Sequence, residues 1–209
     1  MKVFPNVGSL AQADLKEVLI LWQGLGYNRR ARYLYESAKL LALNGTTHDA
    51  MELTMLPGVG INTAGAISVY VFNKPVVFVE TNIRTVIIEH YFSKKSTVTD
   101  TEILDVLRRL IRTTHLDPRN WYWAVMDYGT YLKSSVKNVQ KSAHFVKQTP
   151  FNGSARQLRS AILRSLLDHD YTQERLLGIH TDTRSLDVIH ALVRDKLVVL
   201  DGRNYAIAK

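Results

Sequence analysis

Apolar positions recur three and four residues apart through most of the first 132 residues, the spacing of one buried face on an α-helix. ADLKEVLILW, Ala13 to Trp22, predicts a helix with Asp14 and Glu17 placed to cap it and a stop near Gly24. NRRARYLYESAKLLAL, Asn28 to Leu43, predicts another amphipathic helix, ending at Asn44-Gly45. HDAMELTM predicts a short helix, with Thr46 and Asp49 at capping-box spacing, and Pro57 ends it because proline cannot continue the ladder. A helix from Asn62 to about Phe72 follows, then a short strand-like run in VFVE. TDTEILDVLRRLIRTT opens on a Thr99–Glu102 capping box and runs to about Thr113. Asp117 as N-cap and Pro118 as first helical residue open one more helix, to about Leu132.

The character changes after a basic stretch. Ser154 and Gln157 cap a helix in RQLRSAILRSLL, a short helix follows Thr172, and TRSLDVIHALVRDK predicts a third. LVVL and NYAIA, either side of Asp201-Gly202, predict a hairpin. Three helices and a hairpin resemble a winged-helix domain. In that reading the third helix approaches a DNA groove with Arg184 and Arg194, and the hairpin is the wing. A protein-interaction or packing subdomain is the alternative.

LPGVGINTAGAI carries the most chemistry. Gly58 and Gly60 are free to take positive φ and to bring backbone close to a ligand. The amides of Val59, Gly60, Ile61 and Asn62 then lie at a helix N-terminus, where orphan N–H groups and the dipole favour an anion such as a DNA phosphate. An ordinary helix-turn-helix packing corner has the same signature. Just beyond stands a lone carboxylate, Glu80, with Arg84 four residues on as its surface partner in the plainest reading.

Charge adds a partner. The formal net charge of +8 favours polyanions, and between Lys133 and Arg164 there are seven Lys or Arg and no Asp or Glu. A solvated linker accounts for the same run. A 46% hydrophobic content supports a packed core. With no cysteine, disulfides, thiolate-held clusters and zinc fingers are excluded, and the scattered histidines predict no metal. MKVFPNVGSL has no apolar stretch of signal-peptide length and no run approaches a membrane span, so no membrane partner and a cytoplasmic, nucleoid-associated location are expected.

Three ordered segments resemble one family: LPGVGINTAGAI with the run into VETNIR, LWQGLGYNRRARYL from Leu21, and WAVMDYGTYL from Trp123. The chain is similar to the helix-hairpin-helix base-excision DNA glycosylases, closest to the adenine-glycosylase branch, over roughly residues 3 to 132. The resemblance implies double-stranded DNA as partner, gripped by Leu56, Pro57, Gly58 and Val59 of the hairpin and by Gly60, Ile61, Asn62 and Thr63 of the helix start. It puts Glu80 at the catalytic aspartate, one methylene longer, Asn82 at the asparagine that positions the nucleotide, and Tyr27 at the duplex-probing tyrosine. Asn62 stands where the lyase branch has its lysine, so the implied chemistry is monofunctional.

Lys133 falls at the first iron–sulfur cysteine, so no cluster and no other cofactor is expected, and Lys133, Lys137 and Lys141 replace the cluster loop's DNA contact. The family's base-protonating glutamate aligns with nothing here, and an upstream segment or a completing polypeptide is expected to supply it. The expected fold is mainly α: an incomplete glycosylase helical domain (1–132), a basic linker (133–153) and a small winged-helix-like α+β domain (154–209). The expected function is excision of a mispaired adenine, with adenine opposite 8-oxoguanine the indicated substrate; the alternative is a non-catalytic DNA-binding protein.

Overall fold

The computed structural model describes residues 2–208. It is mainly helical, with a small antiparallel sheet near the C-terminus. Contacts divide the chain into two compact units: Met1–Thr46 with Leu56–Gly58 and Gln148–Lys209, and Thr47–Met55 with Val59–Lys147.

The first unit contains α1 (Val7–Ala11), α2 (Leu15–Leu21), α3 (Arg29–Asn44), α9 (Ala155–Asp168), α10 (Gln173–Ile179) and α11 (Ser185–Arg194). Its strands are β1 (Tyr171–Thr172), β2 (Val198–Asp201) and β3 (Asn204–Ile207), in the order β1-β3-β2. Leu15, Leu19 and Ala31 share one core with Ile162, Leu166, Leu176, Ile189, Leu192 and Leu197, so both ends of the chain bury their apolar faces together. Periodicity marks such faces but not their partners. The hairpin turn is Gly202-Arg203, because Asp201 pairs with Asn204, and Gly202 takes φ 61°. β1, too short to carry an alternation, adds a third strand at Tyr171↔Tyr205 that the sequence pattern does not predict.

The second unit contains α4 (Ala50–Leu53), α5 (Ile61–Tyr70), α6 (Thr81–Tyr91), α7 (Asp100–Thr113) and α8 (Pro118–Lys133), with a 3₁₀ turn at Asn138–Lys141. Val69, Phe78, Ile83, Ile87, Ile103, Leu107 and Tyr122 form its core. Thr99 and Glu102 make the predicted capping box, and Asp117 caps α8 ahead of Pro118. On α4 the cap differs from expectation. Asp49 itself accepts from the amides of Met51 (2.7 Å) and Glu52 (3.1 Å), while Thr47 rather than Thr46 takes the Asp49 amide at 3.1 Å.

The strand-like run in VFVE pairs with no strand among the described residues. Its inner amides turn to side chains instead: Phe78 N–H donates to the Tyr122 hydroxyl at 3.4 Å and Val79 N–H to Asn62 Oδ1 at 3.1 Å. The stretch read as a basic linker is docked over part of its length. Asn138, 6% exposed, donates to the Thr85 carbonyl (3.0 Å) and Glu89 Oε2 (2.7 Å), and Val98 bridges to Ser142.

Arg84 joins α6 to α7 through a two-pronged pair with Asp100, Nε to Oδ1 at 2.8 Å and Nη2 to Oδ2 at 2.6 Å. The guanidinium holds the Asp100 carboxyl below its ordinary value, and the pair's side chains are only 16% and 24% exposed. A depressed carboxylate contributes stability above its unfolded pKa of about 3.9 and loses it as pH falls through the lower folded value. Asp100→Asn should therefore cost about 1.5 kcal/mol at neutral pH, with the gap to wild type closing below about pH 3.9, read by denaturant unfolding across pH.

Candidate DNA-binding and excision site

Glu80 is the N-cap of α6. Its Oε1 accepts from the amides of Asn82 (2.5 Å) and Ile83 (2.9 Å), so the carboxylate folds back onto the positive end of the helix. The longer side chain thus makes the same kind of cap, on the second and third helical amides, that an N-cap aspartate makes. Arg84 is not its partner, because that guanidinium is committed to Asp100. Glu80 is half-buried, and both capping bonds fall on the one oxygen, Oε1.

Asn82, on the first turn of α6, donates from Nδ2 to Thr130 Oγ1 at 3.3 Å. Its Oδ1 is buried without a hydrogen-bond partner among the described residues. Gly129 on α8 lies against the Asn82 backbone, where a Cβ would meet the Asn82 carbonyl. Tyr70, at the end of α5, also has a buried hydroxyl without a partner among the described residues. Burial first, then the charges of Glu80 and Asp127, raises the Tyr70 phenol above its ordinary value. Tyr70 packs edge-on to Phe78 (5.9 Å) and parallel to Trp123 (6.4 Å). Burial pushes the Tyr122 hydroxyl up to about 12, which keeps it a neutral donor–acceptor beside Phe78.

Between α4 and α5 the chain makes the expected hairpin, with one correction. Gly58 takes φ 73°, whereas Gly60 is an extended N-cap at φ −85° and ψ 175°. The first helical bond of α5 is Ala64 N–H to the Gly60 carbonyl at 2.9 Å. Ahead of it, the amides of Ile61, Asn62 and Thr63 precede the ladder, and these three residues are exposed. Asn62 Oδ1 holds the Val79 amide, so its side chain reaches the residue before Glu80. Leu56, Pro57 and Gly58 belong to the first unit, where the Pro57 carbonyl accepts from Ser37 Oγ at 3.3 Å and Gly58 lies against the Tyr33 ring.

Tyr27, also in the first unit, is 60% exposed and holds φ 49°, a left-handed conformation uncommon for a side chain of its size. Its hydroxyl accepts from Gln148 Nε2 at 3.1 Å, and Arg156 Nη1 donates to Gln148 Oε1 at 3.1 Å. The Trp22 indole donates to the Gly26 carbonyl at 2.8 Å and braces the loop beneath it. The ring thus projects from a braced loop in backbone that a side chain of its size seldom adopts.

The predicted basic contacts are not equivalent. Lys133 and Lys137 are exposed, but Lys141 donates to the Ser93 carbonyl at 2.6 Å. Arg184 and Arg194 are both exposed, but Arg184 is clamped on Asp182 (2.9 and 2.6 Å) and on the Gly153 carbonyl, whereas Arg194 has no side-chain partner among the described residues. Among the described residues no group of three or more His, Cys, Asp or Glu side chains is placed to hold a metal, and no helix is long and apolar enough to cross a membrane.

The hairpin amides of α5 and the Glu80 carboxylate at the start of α6 follow one another along the chain. Residues 1–113 match the family model of the HhH-GPD superfamily base excision DNA repair proteins, which is more than half of the 209-residue chain. The chain belongs to this superfamily. Among curated relatives, it is 42% identical over 94 residues to an adenine DNA glycosylase of Buchnera aphidicola subsp. Baizongia pistaciae, covering 44% of this chain and 27% of that protein. It is 43% identical over 104 residues to an adenine DNA glycosylase of Arabidopsis thaliana (40% of this chain, 16% of that one). With that of Mycolicibacterium smegmatis it shares 32% over 111 residues (52% and 38%). The chain thus spans well under half the length of the curated relatives it matches.

Sequence reasoning missed Gly129 and Tyr70 as parts of this neighbourhood, and Asn138 as the anchor of the basic stretch on α6. Gly129 had a signal, a glycine inside a predicted helix. Tyr70 and Asn138 had none, since their meaning comes only from what they are packed against.

Proposed function

We propose that the chain is a monofunctional adenine DNA glycosylase that acts on adenine mispaired with 8-oxoguanine. The observation that carries this reading is the Glu80 carboxylate fixed at the α6 N-terminus by two amides. When the bond between C1′ and the base nitrogen breaks, the electron pair leaves with the base and positive charge develops on the sugar. A fixed carboxylate stabilises that charge; the departing adenine takes a proton from the glutamate expected on an upstream segment or a completing polypeptide, water adds at C1′ and loses a proton to solvent, and free adenine and an abasic site result. The base must first leave the stack, and Tyr27 supplies an aromatic wedge that offsets unstacking. The amides of Val59 to Asn62 hold a phosphate of the duplex, with Lys133 and Lys137 adding charge.

Asn62 has no amine, so no Schiff base forms and the strand stays intact until treated with alkali. Incubation with a duplex carrying adenine opposite 8-oxoguanine should give strand breaks after alkali only, and none with cytosine opposite 8-oxoguanine. Breaks without alkali, or abasic sites irrespective of the mispair, would refute this assignment.

The hairpin makes a separate prediction. A Cβ at Gly60 meets nothing within 4 Å and its φ is ordinary, whereas one at Gly58 runs into the Tyr33 ring at positive φ. Gly60→Leu should leave thermal stability within about 1 kcal/mol while weakening duplex binding about tenfold. Gly58→Ala should cost about 2 kcal/mol of stability. Fluorescence anisotropy at fixed salt and thermal melts separate the two effects.

A further inference from the structure

The backbone from Asn73 to Val79 runs between α5 and α6 without entering a sheet, so its buried amides depend on side chains. Val79 is 2% exposed, and its amide donates to Asn62 Oδ1 at 3.1 Å. The next residue is Glu80, whose carboxylate turns back onto the Asn82 and Ile83 amides. Asn62 itself is the second residue of α5, at the hairpin's helix start. One side chain therefore ties the start of α5 to the backbone that carries the carboxylate.

We propose that Asn62 is a positioning residue for Glu80: by holding the Val79 amide, its side-chain carbonyl fixes the backbone from which the carboxylate faces the reacting sugar. This rests on the reading of Glu80 as the charge-stabilising group. Only a side chain with an acceptor at this reach serves; an aliphatic chain leaves a buried N–H without a partner, and the segment shifts to find one. A displacement of about 1 Å at a reacting group is enough to cost on the order of a hundredfold in rate.

The test compares Asn62→Leu, which removes the acceptor, with Asn62→Asp, which keeps one. Amide hydrogen exchange by NMR on the full chain without DNA is the first readout. Asn62→Leu should speed exchange about tenfold or more at Val79 and also at Asn82 and Ile83, with Ile87 of the same helix unchanged, and Asn62→Asp should restore all three. In single-turnover excision with the duplex saturated by protein, Asn62→Leu should lose about tenfold or more in rate constant. Faster exchange at Val79 alone, failure of Asn62→Asp to restore it, or an undiminished rate constant at saturation would overturn the proposal. If the wild-type chain excises nothing, the functional reading fails on its own, and the exchange pattern still decides whether Asn62 positions Glu80.

Discussion

Alanine at Gly129 should destabilise the protein by about 3 kcal/mol and lower its Tm by roughly 6–12 °C. The added Cβ would stand 2.5 Å from the Asn82 carbonyl oxygen and 2.8 Å from its carbonyl carbon, both backbone atoms, so α6 or α8 must move as a whole. A flexible neighbour would yield at small cost; a helix backbone does not. Because the displaced residue is Asn82, whose amide the Glu80 carboxylate accepts, the same change should remove excision even at temperatures where the fold persists. Gly178→Ala is the control: its Cβ meets nothing within 4 Å, so this substitution in α10 should be neutral or stabilising by up to about 1 kcal/mol. Equal melting behaviour of the two variants would contradict the close α6–α8 approach.

Glu80→Gln should reduce the excision rate about 10²–10³-fold while duplex affinity changes little. Glutamine keeps the length and an oxygen able to accept from the Asn82 and Ile83 amides, so the α6 cap survives and the lost quantity is the charge. Glu80→Asp keeps both charge and a strong N-cap, and should retain most of the activity. This ranking follows from the cap: the carboxylate is anchored by the helix start and not by Arg84, which binds Asp100. A Glu80→Gln rate within about threefold of wild type would remove Glu80 from the chemistry.

The parts of this account legible in the sequence are those written in short-range code. Thr99 with Glu102 and Asp117 with Pro118 announced their helix starts, and LPGVG announced a hairpin, because caps and turns depend on residues within a few positions. Even there, which glycine turns the chain was not readable: Gly58 does and Gly60 does not, a matter of the local path taken past Tyr33. The run VFVE has strand composition, yet among the described residues no strand pairs with it, and the Val79 and Phe78 amides bind Asn62 and Tyr122 instead. Free charge was the least legible property. Lys141 and Arg184 looked available for DNA, but the Ser93 carbonyl, 48 residues away, holds the first, and Asp182, two residues away, holds the second. Family resemblance located Glu80, Asn82 and Asn62 in the sequence; only the structure revealed the Asn62 bond to Val79.

The most direct test is chromatographic measurement of free adenine released, in a single turnover, from a duplex with adenine opposite 8-oxoguanine, using wild-type chain and Glu80→Gln, each together with the segment or polypeptide expected to carry the base-protonating glutamate. The account predicts one free adenine per abasic site with wild type and next to none with Glu80→Gln at equal duplex occupancy. Tight duplex binding without adenine release by wild type, or undiminished release by Glu80→Gln, would contradict it.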